Sequence, residues 1–318
     1  MNILELKEKV LRGESIDREE ALSLTEAPLE ELCRAADDIR RHFCGNAFDV
    51  CAILDGKVGK CSEDCKYCAQ SAHNHADIDC HPLYETDRIV EDAKYNADRG
   101  IPRYCIVTAG KKLPRRELEQ VCESVRALRA EKIPMQICSS LGLLNREEYQ
   151  MLRDAGVTRI HNNLETSERY FPSICTTHTF RDKVKAIQAA REAGMEICSG
   201  GIMGLGETME DRIDLAFALR ELDIRSIPVN FLNPIPGTPC EGNETVKLDE
   251  ALRVIAVFRF INPKAFIKMA AGRAMLGNDK AVFQAGANAT ITGDFLTTTG
   301  SNIDSDLKLF EALGYELV

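Results

Sequence analysis

The segment GKCSEDCKYCAQS places Cys61, Cys65 and Cys68 at the spacing C-x3-C-x2-C. Thiolates this close in sequence can converge on one soft-metal centre without help from the rest of the fold. Three of them leave one iron of a four-iron cluster without a protein ligand, and that iron can take the amine and carboxylate of a substrate or cofactor. A structural zinc knuckle is the alternative, with His73 or His75 completing the set. The x3-x2 spacing and the aromatic Tyr67 before the last cysteine fit zinc poorly. A second group lies in strand-like runs: Cys105 in RYCIV, Cys138 in QICSS and Cys198 in EICSGG. Each alone reads as a small buried hydrophobe. At equivalent points of three barrel strands, the three thiols would meet in one interior layer and could hold a second metal centre.

The chain has 13 cysteines among 318 residues and no tryptophan. An odd count cannot pair off completely, and several cysteines sit inside apolar runs, so a disulfide framework is not expected. The opening MNILELKEKVLRGESIDREE lacks the apolar core of a signal peptide, and no run approaches the roughly 20 apolar residues that span a bilayer. A reduced, cytoplasmic setting with no membrane association follows. Forty basic against fifty acidic side chains give a net charge of −10, which argues against nucleic-acid binding.

The chemistry needs a frame. Leu29, Leu32, Cys33, Ala36, Ile39 and Phe43 recur at helical spacing, so residues 1–45 read as a helical extension. From Phe48 onward, short apolar runs alternate with amphipathic stretches, the pattern of βα units around a parallel sheet. Eight candidate strands appear: FDVCAIL, RYCIVTAG, MQICSS, RIHNNLE, EICSGGIMG, IPVNFLNP, FIKMAAG and ATITGDF. The fold class expected is α/β, a (β/α)8 TIM-type barrel over residues 46–318, with its chemistry near the strand C-termini. Cys33 and Cys122 lie on helical apolar stripes and read as structural. Cys44, Cys80, Cys175 and Cys240 fall near loops.

The triplet, following the first strand and carrying an aromatic residue before its last cysteine, resembles the signature of the radical S-adenosylmethionine (SAM) enzymes. The resemblance implies a [4Fe-4S] cluster on Cys61, Cys65 and Cys68, with SAM on the fourth iron. GGIMGLGE then matches a pattern bordering the SAM adenine, through Gly200, Ile202, Gly204 and Glu207. Asn163 and Glu165 in HNNLETS suit the ribose hydroxyls, and Lys183 suits the SAM carboxylate as a point charge. Thr108, Ala109 and Gly110 match loosely a stretch near the SAM amine.

Within that superfamily the chain is similar to the biotin synthase family, in CSEDCKYCAQS, NLETS, CSGGIMGLGE, VNFLNPIPGTP, AGR, AGAN and LTTTG. The resemblance covers Cys44 to the C-terminus. It implies an auxiliary iron-sulfur cluster on Cys105, Cys138 and Cys198 that donates sulfur to dethiobiotin, closing the ring of biotin. It also implies a flavodoxin- or ferredoxin-type electron donor, an iron-sulfur assembly machinery and a homodimer. In the family an arginine is the fourth ligand of a [2Fe-2S] auxiliary cluster; Lys268 stands there here, and the two residues are not interchangeable. Cys51, where the family often has serine, is the proposed fourth ligand of a four-iron, all-cysteine cluster. The alternatives are Lys268 as ligand or charge balance, or Cys80 as the extra thiolate. Arg103 would offset thiolate charge. Asn163 and Asn230 suit the ureido ring of the substrate, Thr297 and Thr298 its carboxylate tail, and His161 departs from the usual asparagine. The rivals are a radical SAM enzyme of the same barrel acting on another substrate, and a non-catalytic iron-sulfur or zinc-binding barrel.

Overall fold

The computed structural model describes residues 2–293 and 302–318. Three helices open the chain: α1 (Ile3–Leu11), α2 (Arg18–Leu24) and α3 (Leu29–Cys44). The alternation follows: β1 (Ala47–Lys57), α4 (Thr86–Ala97), β2 (Arg103–Thr108), α5 (Arg115–Ala130), β3 (Gln136–Ser140), α6 (Arg146–Ala155) and β4 (Arg159–His161). Next come a single turn α7 (Phe171–Ile174), then α8 (Phe180–Glu192), β5 (Glu196–Cys198), β6 (Gly201–Met203), α9 (Met209–Glu221) and β7 (Ser226–Phe231). The chain ends with α10 (Leu248–Ile261), β8 (Phe266–Met269), α11 (Asp279–Gln284), β9 (Ala289–Thr292), α12 (Ile303–Ala312) and β10 (Glu316–Leu317).

All strand pairings are parallel, and β9 pairs back onto β1, so eight staves close into a (β/α)8 barrel. The fifth stave differs from the single strand expected. It is two pieces, because β5 ends at Cys198 and β6 resumes at Gly201, each pairing with β7. Gly200 causes the break: a Cβ there would lie 1.8 Å from the Pro228 carbonyl oxygen, so the backbones meet too closely for any side chain.

Helix starts are fixed locally. Asn145, Thr179 and Thr208 cap α6, α8 and α9, each reciprocated by the acidic residue three positions on. On α5 the residues Leu118, Val121, Cys122, Val125 and Leu128 are buried, as the periodicity requires. α10 is apolar on all sides because it is sandwiched, packing on α3 and α9 as well as on the barrel. No helix among the described residues is long and apolar enough to cross a membrane.

Candidate functional site

The C-terminal end of β1 runs into the cysteine loop, whose shape is set by its own backbone. The Cys61 N–H donates to the Gln70 carbonyl at 3.0 Å, and the Ala72 N–H returns to the Cys61 carbonyl at 2.8 Å. Asn74 Nδ2 donates to the carbonyls of Cys65 and Cys68, at 3.1 and 2.8 Å. These bonds satisfy the loop's carbonyls, and all three cysteines line a cavity of about 360 Å³ in the barrel mouth. Gly59 makes the turn with φ +83°, and a Cβ on it would lie 2.1 Å from Cys80 Sγ. Cys80 is exposed and does not line the cavity.

The same cavity reaches the barrel interior, where Cys51, Cys105, Cys138 and Cys198 line it. Cys105 is directly opposite Cys138 across β2 and β3, and Cys198 is opposite His161. Cys51, Cys105 and Cys138 pack as one buried group with Ile53 and Val107. Burial pushes the Cys51 thiol up to about 12. Burial also opposes ionisation of Cys198, but its hydrogen bond to His161 and the charge of Lys268 bring it down to about 6. Beneath the thiols, Asp49 is shared by three cations: Arg159 Nη1 at 2.6 Å, Lys268 Nζ at 3.2 Å and Arg103 Nε at 3.4 Å. Their charge holds the Asp49 carboxyl below its ordinary range despite burial. Arg103 Nη1 is buried with no hydrogen-bond partner. Four thiols backed by surplus positive charge and a free donor fit an anionic iron-sulfur group.

Tyr67, Asn163, Glu165, Lys183, Ile202 and Asn230 also line this cavity, with Thr108, Ala109 and Gly110. Tyr67 hydrogen-bonds Glu165, whose backbone has φ +69° and whose Oε2 is buried without a partner. Asn163 Oδ1 accepts from the Gly200 N–H at 3.0 Å. The Asn230 amide bridges the Gly201 carbonyl and the Ala271 N–H, at 3.0 and 3.1 Å. Its neighbour in role is Asn162, which the sequence does not single out; it lines the cavity with a buried Nδ2 that has no partner. Gly204 and Glu207 do not reach this cavity. Glu207 Oε1 accepts from the Gly204 N–H and from Arg212 Nε, at 2.9 and 2.6 Å, which braces the loop behind the wall. Thr297 and Thr298 lie outside the described residues.

Residues 57–219 match the radical SAM superfamily, and residues 228–316 match the biotin and thiamin synthesis associated domain. A biotin synthase of Brachyspira hyodysenteriae is 50% identical over 314 residues, covering 98% of this chain and 94% of its own. Biotin synthase 2 of Corynebacterium diphtheriae is 51% identical over 315 residues, covering 98% and 95%. The chain belongs to the biotin synthase family. Among solved structures, a methylornithine synthase superposes with a TM-score of 0.83 at 22% identity, covering 98% of this chain and 97% of its own. A maturase of the [FeFe]-hydrogenase gives 0.85 at 17%, covering 99% and 75%. Both likenesses are of fold.

Sequence reasoning left one group of this biotin synthase family member among the loops. Cys175, at the end of α7, is buried, with its Sγ 3.3 Å from His178 Nδ1 and hydrogen-bonded to Cys65. That bond to Cys65, and those to His178 and Thr177, pull the Cys175 thiol down to about 4. His178 Nδ1 in turn lies 2.6 Å from Glu63 Oε2. The signal available was the CTTH spacing, which places a thiol and an imidazole three residues apart.

Proposed function

We propose that this chain inserts sulfur into dethiobiotin to form biotin, with Cys61, Cys65 and Cys68 as the SAM-cluster ligands and Cys51, Cys105, Cys138 and Cys198 as the auxiliary set. The observation that carries this reading is that both thiol sets line one continuous cavity, one at the mouth and one inside the barrel. When bound, the [4Fe-4S] cluster with SAM supplies a deoxyadenosyl radical able to take hydrogen from an unactivated carbon, and the auxiliary cluster supplies the sulfur.

The chain's own residues hold, orient and shield. Glu165 lines the cavity beside Tyr67 with one carboxylate oxygen that has no partner, and can accept from the ribose hydroxyls together with Asn163. Ile202 offers an apolar face to the adenine, and Lys183 a positive charge to the SAM carboxylate. Gly200 lets this wall approach β7, while Gly204 and Glu207 brace it from behind. Asn163 and Asn230 present amides to the ureido ring, with Asn162 adding an unpaired donor. Ile53, Val107 and Ile291 make the cavity beside the interior thiols apolar, which excludes water from a reactive carbon. Confinement within the barrel keeps sulfur donor and substrate carbon within bonding reach. Arg103 and Lys268 balance thiolate charge, and the Lys268 ammonium is already held by Asp49, which favours Cys51 as the fourth ligand.

The same reading includes a flavodoxin- or ferredoxin-type electron donor, an iron-sulfur assembly machinery, a homodimer and a cytoplasmic setting, all resting on family resemblance. The test is anaerobic incubation of the reconstituted protein with reductant, SAM and dethiobiotin, followed by mass analysis. Biotin formed alongside 5′-deoxyadenosine is the expected result. Abundant 5′-deoxyadenosine without biotin would transfer the chain to another substrate, and none at all would remove the enzyme reading.

A further inference from the structure

We infer that Cys65, Cys175 and His178 form a binding site for a single divalent transition-metal ion in the cluster-free chain, so that ferrous iron can be taken up on Cys65 before the triplet closes around a cluster. One ligand atom from each of the three lies within 4.8 Å of the others. A tetrahedral ion bound by sulfur at about 2.3 Å and nitrogen at about 2.0 Å has ligand atoms roughly 3.5 to 3.8 Å apart. The Cys175 sulfur sits 3.3 Å from Nδ1 and 3.9 Å from Nε2 of His178, and within 4.8 Å of the Cys65 sulfur. Thiolates on different irons of a four-iron cluster stand farther apart than that, so the spacing suits one ion rather than a cluster cap.

The surroundings hold this arrangement in place. Asp64 Oδ1 accepts from the backbone N–H groups of Thr176 and Thr177, at 2.8 and 3.1 Å, and the Lys66 N–H donates to the Ile174 carbonyl at 3.0 Å. The segment carrying Cys175 is thereby fastened to the loop carrying Cys65. Glu63 Oε2 stands 2.6 Å from His178 Nδ1, and both side chains are buried. A carboxylate on one imidazole nitrogen fixes the ring and leaves Nε2 as the ligand, the usual arrangement around a metal-bound histidine. The ion takes both sulfurs as thiolates, any proton they carry passing to solvent, and there is no change of oxidation state. The site shares Cys65 with the triplet, so the ion and the completed cluster exclude each other.

The role in iron entry rests on the cluster assignment above, whereas binding of the ion does not. The probe is Co²⁺, titrated into the full chain after anaerobic removal of iron. The background is Cys61→Ser/Cys68→Ser, which cannot assemble the triplet site. This chain is expected to hold one Co²⁺ more than the same chain carrying Cys175→Ser, with thiolate-to-cobalt absorption to match. Glu63→Gln should weaken that site about 10- to 100-fold, as removal of a histidine's supporting carboxylate does. Equal cobalt content with and without Cys175 would overturn the proposal. If Cys175→Ser does not fold, by circular dichroism, His178→Gln in the same background decides: altered cobalt ligand-field bands support the site, and unchanged bands overturn it.

Discussion

Lys268 Nζ lies 3.2 Å from Asp49 Oδ2 on the barrel floor, and the two side chains are only 3% and 2% exposed. The same carboxylate also takes Arg159 and Arg103, so one buried anion serves three buried cations. Asp49→Asn leaves those cations without their shared partner. The iron-free chain should lose about 3–5 kcal/mol of stability, the usual result of removing one side of a buried pair. Urea denaturation measures this, and reconstitution with iron and sulfide should restore part of the loss if the auxiliary cluster binds the four thiols above these cations, as proposed. An unchanged midpoint would mean that Asp49 does not hold them.

The engagement of the Lys268 ammonium with Asp49 favours the proposal that Cys51 is the fourth auxiliary ligand. Cys51→Ala should lower iron and sulfide per chain after reconstitution and alter the second cluster's spectrum, while the triplet's cluster and its 5′-deoxyadenosine formation persist. Lys268→Met should leave the iron and sulfide content near that of the unaltered protein. A second cluster unchanged in Cys51→Ala removes the assignment.

The break in the fifth stave has its own consequence. At Gly200 an added methyl meets the Pro228 carbonyl, and at Gly201 it meets the Glu165 carbonyl at 2.3 Å. The nearest obstacles are backbone, with Leu215 also close at Gly201, so relief requires the stave to move. Gly200→Ala should cost at least the roughly 1–3 kcal/mol typical of overpacking. It should also weaken SAM binding, since Asn163 is held by the Gly200 N–H. Thermal unfolding and SAM titration read the two effects separately. A stable Gly200→Ala chain with unaltered SAM affinity would show that the wall tolerates the shift.

The barrel and the two thiol sets are legible in the sequence because their signals are local. Cys61, Cys65 and Cys68 fall within one loop, and equivalent positions on three strands turn Cys105, Cys138 and Cys198 toward one interior, whereas Cys51 is singled out only by the family resemblance. Asp49 is not legible, because nothing in FDVCAIL marks it as the partner of an arginine 110 positions later. The same holds for His178, which meets Glu63 across 115 positions, and for Cys175, which the sequence leaves among ordinary loop cysteines. Glu207 shows the reverse. Its motif was readable, but the side chain turns to Arg212 rather than into the cavity. Long-range pairing of charged side chains has no periodicity to betray it.

Asp55, near the end of β1, has a buried Oδ1 with no hydrogen-bond partner. Burial raises its carboxyl from 3.8 to about 6, only partly opposed by His81. Here the folded value is the higher one, so the folded chain holds this proton more firmly than the unfolded chain. Stability is therefore lost as pH rises from 3.8 to about 6, and the ionised carboxylate remains unfavourable above that range. Asp55→Asn removes the titration. The variant's advantage in melting temperature over the unaltered protein should grow between pH 5 and about pH 6, then level off near neutrality. A difference that stays constant across that interval would show that Asp55 is solvated and ionises normally in the folded protein.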